Sequence, residues 1–174
     1  MRRAPLLSLL LSACAMDAYV IEEGDHSSTS NVSLFTGTEM SFEAIFDDSA
    51  VYETVSESNQ ADINKLMGFS DCSSHHHSNS ARFGWRWYDD ELQIHAYTYA
   101  DGTRSYEELG TAEIDEAATY SITIDSDRYL FTFDGVTTEM ERGCSGGGIK
   151  YQLYPYFGGD ETAPHDITIY IEEL

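Results

Sequence analysis

An antiparallel all-β sandwich of jelly-roll type is the fold this sequence predicts. Three observations lead to it. No long segment holds a helical period. Short stretches of apolar and polar residues alternate instead, along most of the chain. Turn-forming pieces such as DG, ADGT and DSD separate them. With 174 residues, 41% of them hydrophobic and 13% aromatic, the chain has material for the core of one domain.

The predicted strands, in order, are MSFEAIF (40–46), AVYETV (50–55), ARFGWRWY (81–88), LQIHAYTYA (92–100) and YEELGTAE (106–113). TYSITID (119–125), RYLFTFD (128–134), VTTEMER (136–142), IKYQLYPYF (149–157) and DITIYIEE (166–173) complete the set. Residues 58–68, SNQADINKLMG, follow neither period and leave room for one short helix. Ahead of the strands, residues 14–38 are polar and aperiodic, which predicts a tether. The domain proper is then expected over 39–174.

The chain opens with MRRAPLLSLLLSAC, two arginines followed by a leucine-rich run too short to span a bilayer. That pattern predicts an export signal over residues 1–13. Its ending, Leu11-Ser12-Ala13-Cys14, resembles the bacterial lipobox. The resemblance implies cleavage before Cys14, lipidation of that cysteine and attachment to a membrane; Ala15 after it implies the outer membrane. Cys72 and Cys144 then remain as an even pair in an oxidising compartment, which predicts a disulfide.

The charge is strongly acidic, nine Lys and Arg against 31 Asp and Glu. Such a surface repels phosphate and argues against a nucleic-acid partner. Removing the leader takes Arg2 and Arg3 and leaves seven basic residues.

Alternation assigns the strand faces. Phe83, Trp85 and Trp87 share one side of 81–88, with Leu92, Ile94 and Ala96 in the next strand; these predict core. The opposite face collects Arg82, Arg86 and Tyr88, then Gln93, His95, Tyr97 and Tyr99. Lys150, Gln152, Tyr154 and Tyr156 fall there from the late strand, and Tyr170 from the last. Tyrosine rings suit the C–H faces of sugars, and Arg, Gln and His supply directed donors to hydroxyls or carboxylates. Arg82, Arg86, Gln93, His95, Tyr97, Lys150, Gln152, Tyr154 and Tyr156 are therefore the candidate ligand-binding residues. A solvated face using tyrosine for its strand propensity is the competing reading.

NKLMGF ahead of a polar loop, and YPYFGGDETAPHDITIYI at the end, resemble the concanavalin A-like lectin and glucanase jelly rolls. The resemblance spans roughly residues 39–174. It implies a concave face that holds a polysaccharide. QIH at 93–95 is also similar to a strand of some alginate-lyase jelly rolls. That resemblance implies carboxylate neutralisation by Arg86 and proton transfer by His95 and Tyr154. RFGWR lacks the glutamate and leucine that the lyases carry between their arginines. No Glu-x-Asp-x-x-Glu strand of the glucanase kind is present, so hydrolysis by two facing carboxylates is the less favoured enzymatic reading.

SDCSSHHHSNS, residues 70–80, places three histidines in a polar loop, either a groove rim or a metal-binding loop. Calcium is the other expected ion, since the chain is rich in oxygen ligands, and Asp166 is its candidate ligand. The resulting expectation is a lipid-anchored module that binds polysaccharide. A polysaccharide lyase or other glycan-degrading enzyme acting through His95 and a groove tyrosine, and a structural or adhesion lipoprotein, stand as alternatives.

Overall fold

The computed structural model describes residues 16–29 and 31–174. The leader 1–13 and the lipobox cysteine, Cys14, lie outside the described residues. Among the described residues, twelve strands form two six-stranded antiparallel sheets. The first sheet runs β1 (Asp17–Ile21), β12 (Ile167–Glu173), β3 (Glu39–Phe46), β8 (Ala118–Asp125), β9 (Arg128–Phe133) and β10 (Val136–Glu141). The second runs β2 (Leu34–Phe35), β11 (Lys150–Leu153), β4 (Asn64–Ser70), β5 (Ser80–Tyr88), β6 (Glu91–Ala100) and β7 (Thr103–Ala112). This is the all-β sandwich that the alternation predicts.

Short acidic turns close the consecutive hairpins. Asp89-Asp90, Asp101-Gly102 and Asp134-Gly135 each place both residues at positive φ, where aspartate and glycine are tolerated and the turn matches the twist of the strands. The inner faces meet in one aromatic core. Phe83 lies edge-on to Phe42, Tyr120 and Phe131, and Trp85 packs against Phe46 and Tyr52. Trp85 is fully buried, and truncating such a ring costs about 3–5 kcal/mol.

Four expectations change. The tether is partly folded: Asp17–Ile21 pairs with β12 and Leu34–Phe35 with β11, so each sheet gains an edge strand from residues upstream of 39. Segment 50–55 is no strand. Its first N–H groups bond the carbonyls of Asp47 and Asp48, and side chains take several of the rest: Gln60 bonds Thr54 N and Tyr52 O, and Glu161 accepts from Val55 N and the adjoining Ser56 N. Residues 58–68 hold a single 3-10 turn at Glu57–Asn59 and then β4. A β-bulge between Lys65 and Gly68 breaks the alternation of β4, so Leu66 and Met67 are both buried, which conceals the strand in the sequence.

The fourth change concerns β11. Gln152 sits opposite Phe69 of the core, so Lys150 and Gln152 point inward rather than into the groove. Lys150 is buried over the Phe35 ring, and Gln152 donates to Glu173 across the sandwich. The strand ends before Pro155, which has no N–H for a ladder, and only after it does Tyr156 return to the groove side. Tyr170 belongs to β12 of the first sheet and is absent from that face.

A cationic, tyrosine-lined groove as the candidate functional site

The outward face of the second sheet carries the site, and the ladder sets its rows. Ser80, Tyr99 and Arg104 stand side by side across β5, β6 and β7. Arg82, Tyr97 and Tyr106 form the next row, Lys65, Gly84, His95 and Glu108 a third, and Arg86, Gln93 and Thr111 a fourth. A pocket of about 340 Å³ opens over the first rows, lined by Lys65, His76, His77, Ser80, Arg82, Tyr97, Tyr99, Arg104, Tyr156 and Gly159. A smaller one of about 100 Å³ shares Lys65, Tyr97 and Arg104 and reaches Asp62 and Tyr106.

Positive charge concentrates here. Seven Lys and Arg lie among the described residues, and four of them, Lys65, Arg82, Arg86 and Arg104, are on this face. The ion pairs among the described residues are Arg128–Asp127 and Arg142–Asp71, so no carboxylate pairs with any of the four. Burial, with Arg82 and Arg104 beside it, pulls the Lys65 ammonium down to about 8. Its Nζ donates to Ile63 O at 2.6 Å and lies 4.9 Å from the Tyr97 ring centre. Arg82, 8% exposed, donates to Tyr154 O and Leu66 O and leaves Nε without a partner. Burial lowers it to about 10, still cationic at neutral pH. Burial and the neighbouring Tyr99 push the Tyr97 phenol up to about 12.

The expected residues divide. Arg82, Tyr97 and Tyr156 meet in the main pocket. Arg86 and Gln93 stand further along the face, joined by a 2.7 Å hydrogen bond, with Arg86 also donating to Ala61 O and lying over the Tyr88 ring. Lys150 and Gln152 face inward, as described. Tyr154, expected as a proton carrier, stacks on Tyr19 of the first sheet and bonds Ser33, away from the pocket. His95 sits beneath the floor at 1% exposure with neither ring nitrogen bonded. Gly84 explains this: a Cβ there would lie 2.5 Å from Ile63 Cγ2, so the missing side chain lets Ile63 lie over the sheet beside His95. Burial, with Arg86 nearby, lowers His95 to about 4 and keeps it neutral. Asp166 Oδ1 accepts the Glu23 N–H, and it belongs to neither group of three or more clustered metal-ligand side chains among the described residues.

Lys65 and Arg104 enter the pocket without a signal in the sequence pattern, and they meet there Tyr99, expected on this face, and His76 and His77, expected at a groove rim or in a metal-binding loop. The bulge hides Lys65. Arg104 belongs to a strand that starts at Thr103, three residues before the stretch that its alternation marks. The loop histidines come to the rim because Cys72 is bonded to Cys144, as the cysteine pair predicts, and because Tyr151 holds His76.

No protein-family model matches the chain, and no curated protein matches it in sequence. Solved structures share its fold, that of the concanavalin A-like jelly rolls. Alginate lyase AlyC3 superposes with a TM-score of 0.61 at 12% identity, covering 90% of this chain and 74% of that one. A GH16 protein of a Bacteroides ovatus mixed-linkage glucan locus, in complex with a glucan product, gives 0.59 at 10% identity over 90% and 80%. The Crh5 transglycosylase gives 0.56 at 10% identity over 90% and 70%.

Proposed function

We propose that this protein is an exported jelly-roll module that binds an acidic polysaccharide in the groove of its second sheet. The carrying observation is the charge distribution. A chain of formal net charge −22 gathers four of its cations on one tyrosine-rich face and leaves them without carboxylate partners. Lys65, Arg82 and Arg104 supply donors for carboxylates or sulfates, and Tyr97, Tyr99 and Tyr156 supply flat rings for the sugar faces. The structural neighbours named for glycan chemistry support a polysaccharide ligand, and the alginate lyase among them is the one whose named substrate is acidic.

Anchoring through a lipid on Cys14 at the outer membrane completes the proposal, supported by the lipobox-like leader. Only Ala15 and Met16 separate Cys14 from β1, so the anchor would hold the sandwich close to the membrane. Fatty-acid labelling that persists in Cys14→Ala would refute it.

Calorimetric titration of the full chain with a polyuronate and with a neutral glucan tests the groove. Heat with the polyuronate alone, reduced in Arg104→Ala, supports the reading. Equal binding of both glycans, or of neither, overturns it.

Elimination is the second reading, and one observation favours it: Lys65, lowered to about 8, shares a pocket with three tyrosines. A base of that kind could take the proton beside a uronate carboxylate held by Arg82 or Arg104, while a tyrosine protonates the departing glycosidic oxygen. The buried His95 and the displaced Tyr154 do not form that pair. Ultraviolet absorbance of unsaturated ends, rising with the polyuronate and lost in Lys65→Met, distinguishes a lyase from a binder.

A further inference from the structure

The histidine loop has a geometry that glycan binding does not require. Three consecutive residues on a strand would point to opposite sides, but His75–His77 lie in a turn. Ser78 N donates to His75 O at 2.7 Å and Asn79 N to the same oxygen at 3.2 Å. The turn brings one ring nitrogen from each histidine within 4.8 Å of the others, with ring centres 4.2, 4.4 and 5.1 Å apart.

The loop is fixed on both sides and from below. The Cys72–Cys144 bridge precedes it, and Ser80 Oγ donates to His76 O where β5 begins. Tyr151 contributes a hydroxyl that accepts the His76 N–H and sits 2.9 Å from His76 Nδ1. An imidazole held at Nδ1 by an outer partner presents Nε2 outward, as metal-binding histidines do. His75 and His77 are exposed, so their rings are free to turn toward a common centre. A long 3.3 Å contact from His77 N to His75 Nδ1 would give way to a metal bond.

We propose that His75, His76 and His77 bind one divalent first-row transition ion, zinc or copper, at the rim of the groove. Three imidazoles suit these borderline ions, whereas calcium and magnesium take oxygen ligands. Three protein ligands leave a coordination position open, and since His76 and His77 line the pocket, that position borders the groove. The inference stands on the loop alone and does not depend on glycan binding.

The test loads the full chain, without any histidine tag, with Cu²⁺ and with Zn²⁺ in competition with a chelator. The acidic surface offers oxygen sites as well, so the Cu²⁺ resonance spectrum is read for nitrogen hyperfine lines. The expected result is one ion per chain with several nitrogen ligands. His75→Ala combined with His77→Ala should reduce the nitrogen lines to at most those of one imidazole, that of His76, while leaving thermal unfolding unchanged, since both substituted side chains are exposed. Tyr151→Phe should weaken binding by about tenfold. Metal held only by oxygen, or nitrogen lines undiminished in the double variant, overturns the proposal.

Discussion

Asp71 Oδ2 accepts the Nε–H of Arg142 at 2.7 Å inside the protein, the carboxylate wholly buried and the guanidinium 4% exposed. The same oxygen accepts the Tyr129 hydroxyl, and Arg142 also donates to Ser126 O and Gly146 O. The pair therefore joins the histidine loop to β9 and to the glycine turn after β10. Removing one partner strands the other charge. Asp71→Ala should cost about 3–5 kcal/mol in denaturant unfolding. A loss within error of zero would mean that water reaches Arg142.

The disulfide works on the same junction. It links residues separated by 72 positions, and closing a loop of that size restricts the unfolded chain. Its reduction should lower stability by about 2–4 kcal/mol. Thermal unfolding with and without a reductant measures this.

Under the proposed binding of an acidic polysaccharide, Lys65 makes that binding depend on pH. Below about 8 its ammonium is charged and attracts the ligand; above that value the charge is lost. Affinity for a polyuronate should therefore hold steady up to about pH 8 and fall beyond it. Lys65→Met should bind less tightly and lose this alkaline step. Added salt should weaken both proteins by screening the remaining cations.

His95 predicts an acid limb in stability. Its folded-state value, about 4, lies below the ordinary 6.5, so between those values the unfolded chain takes up a proton that the folded chain does not. Stability should fall as pH drops from about 6.5 to 4, and a shift of this size corresponds to at most about 3 kcal/mol. His95→Phe should flatten that limb. His76, lowered to about 4 chiefly by burial, contributes in the same direction, so the variant should keep a residual slope.

Gly84 is placed to keep Ile63 down. Gly84→Val should push Ile63 off the sheet, cost about 1–3 kcal/mol and open His95 to solvent. Proton exchange at the His95 ring, followed by NMR, reports the opening.

Local pattern was enough for much of the architecture. Alternation in 81–88 and 92–100 marks β5 and β6, places Trp85 in the core and puts Arg82, Arg86, Gln93, His95 and Tyr97 on the opposite side, because neither strand is interrupted. Strands with an irregularity escaped: the bulge hides β4, and Pro155 reverses the sides assigned to Lys150, Gln152 and Tyr154. A one-residue break exchanges the two faces of a strand, and period-two reasoning has no means to sense it.

By itself the sequence determined the all-β class, most of the strands, the cysteine pair and the acidic charge, since each follows from residue type and short-range order. Only the tertiary structure decided which side chains share the groove. Lys65 and Arg104 come from separate strands, Tyr156 from the segment after β11 and the histidines from a disulfide-anchored loop, and their meeting depends on register and turns. Burial beside Ile63 likewise turned His95 from a catalytic candidate into a covered, neutral group, because exposure is set by what packs above a residue rather than by its own strand.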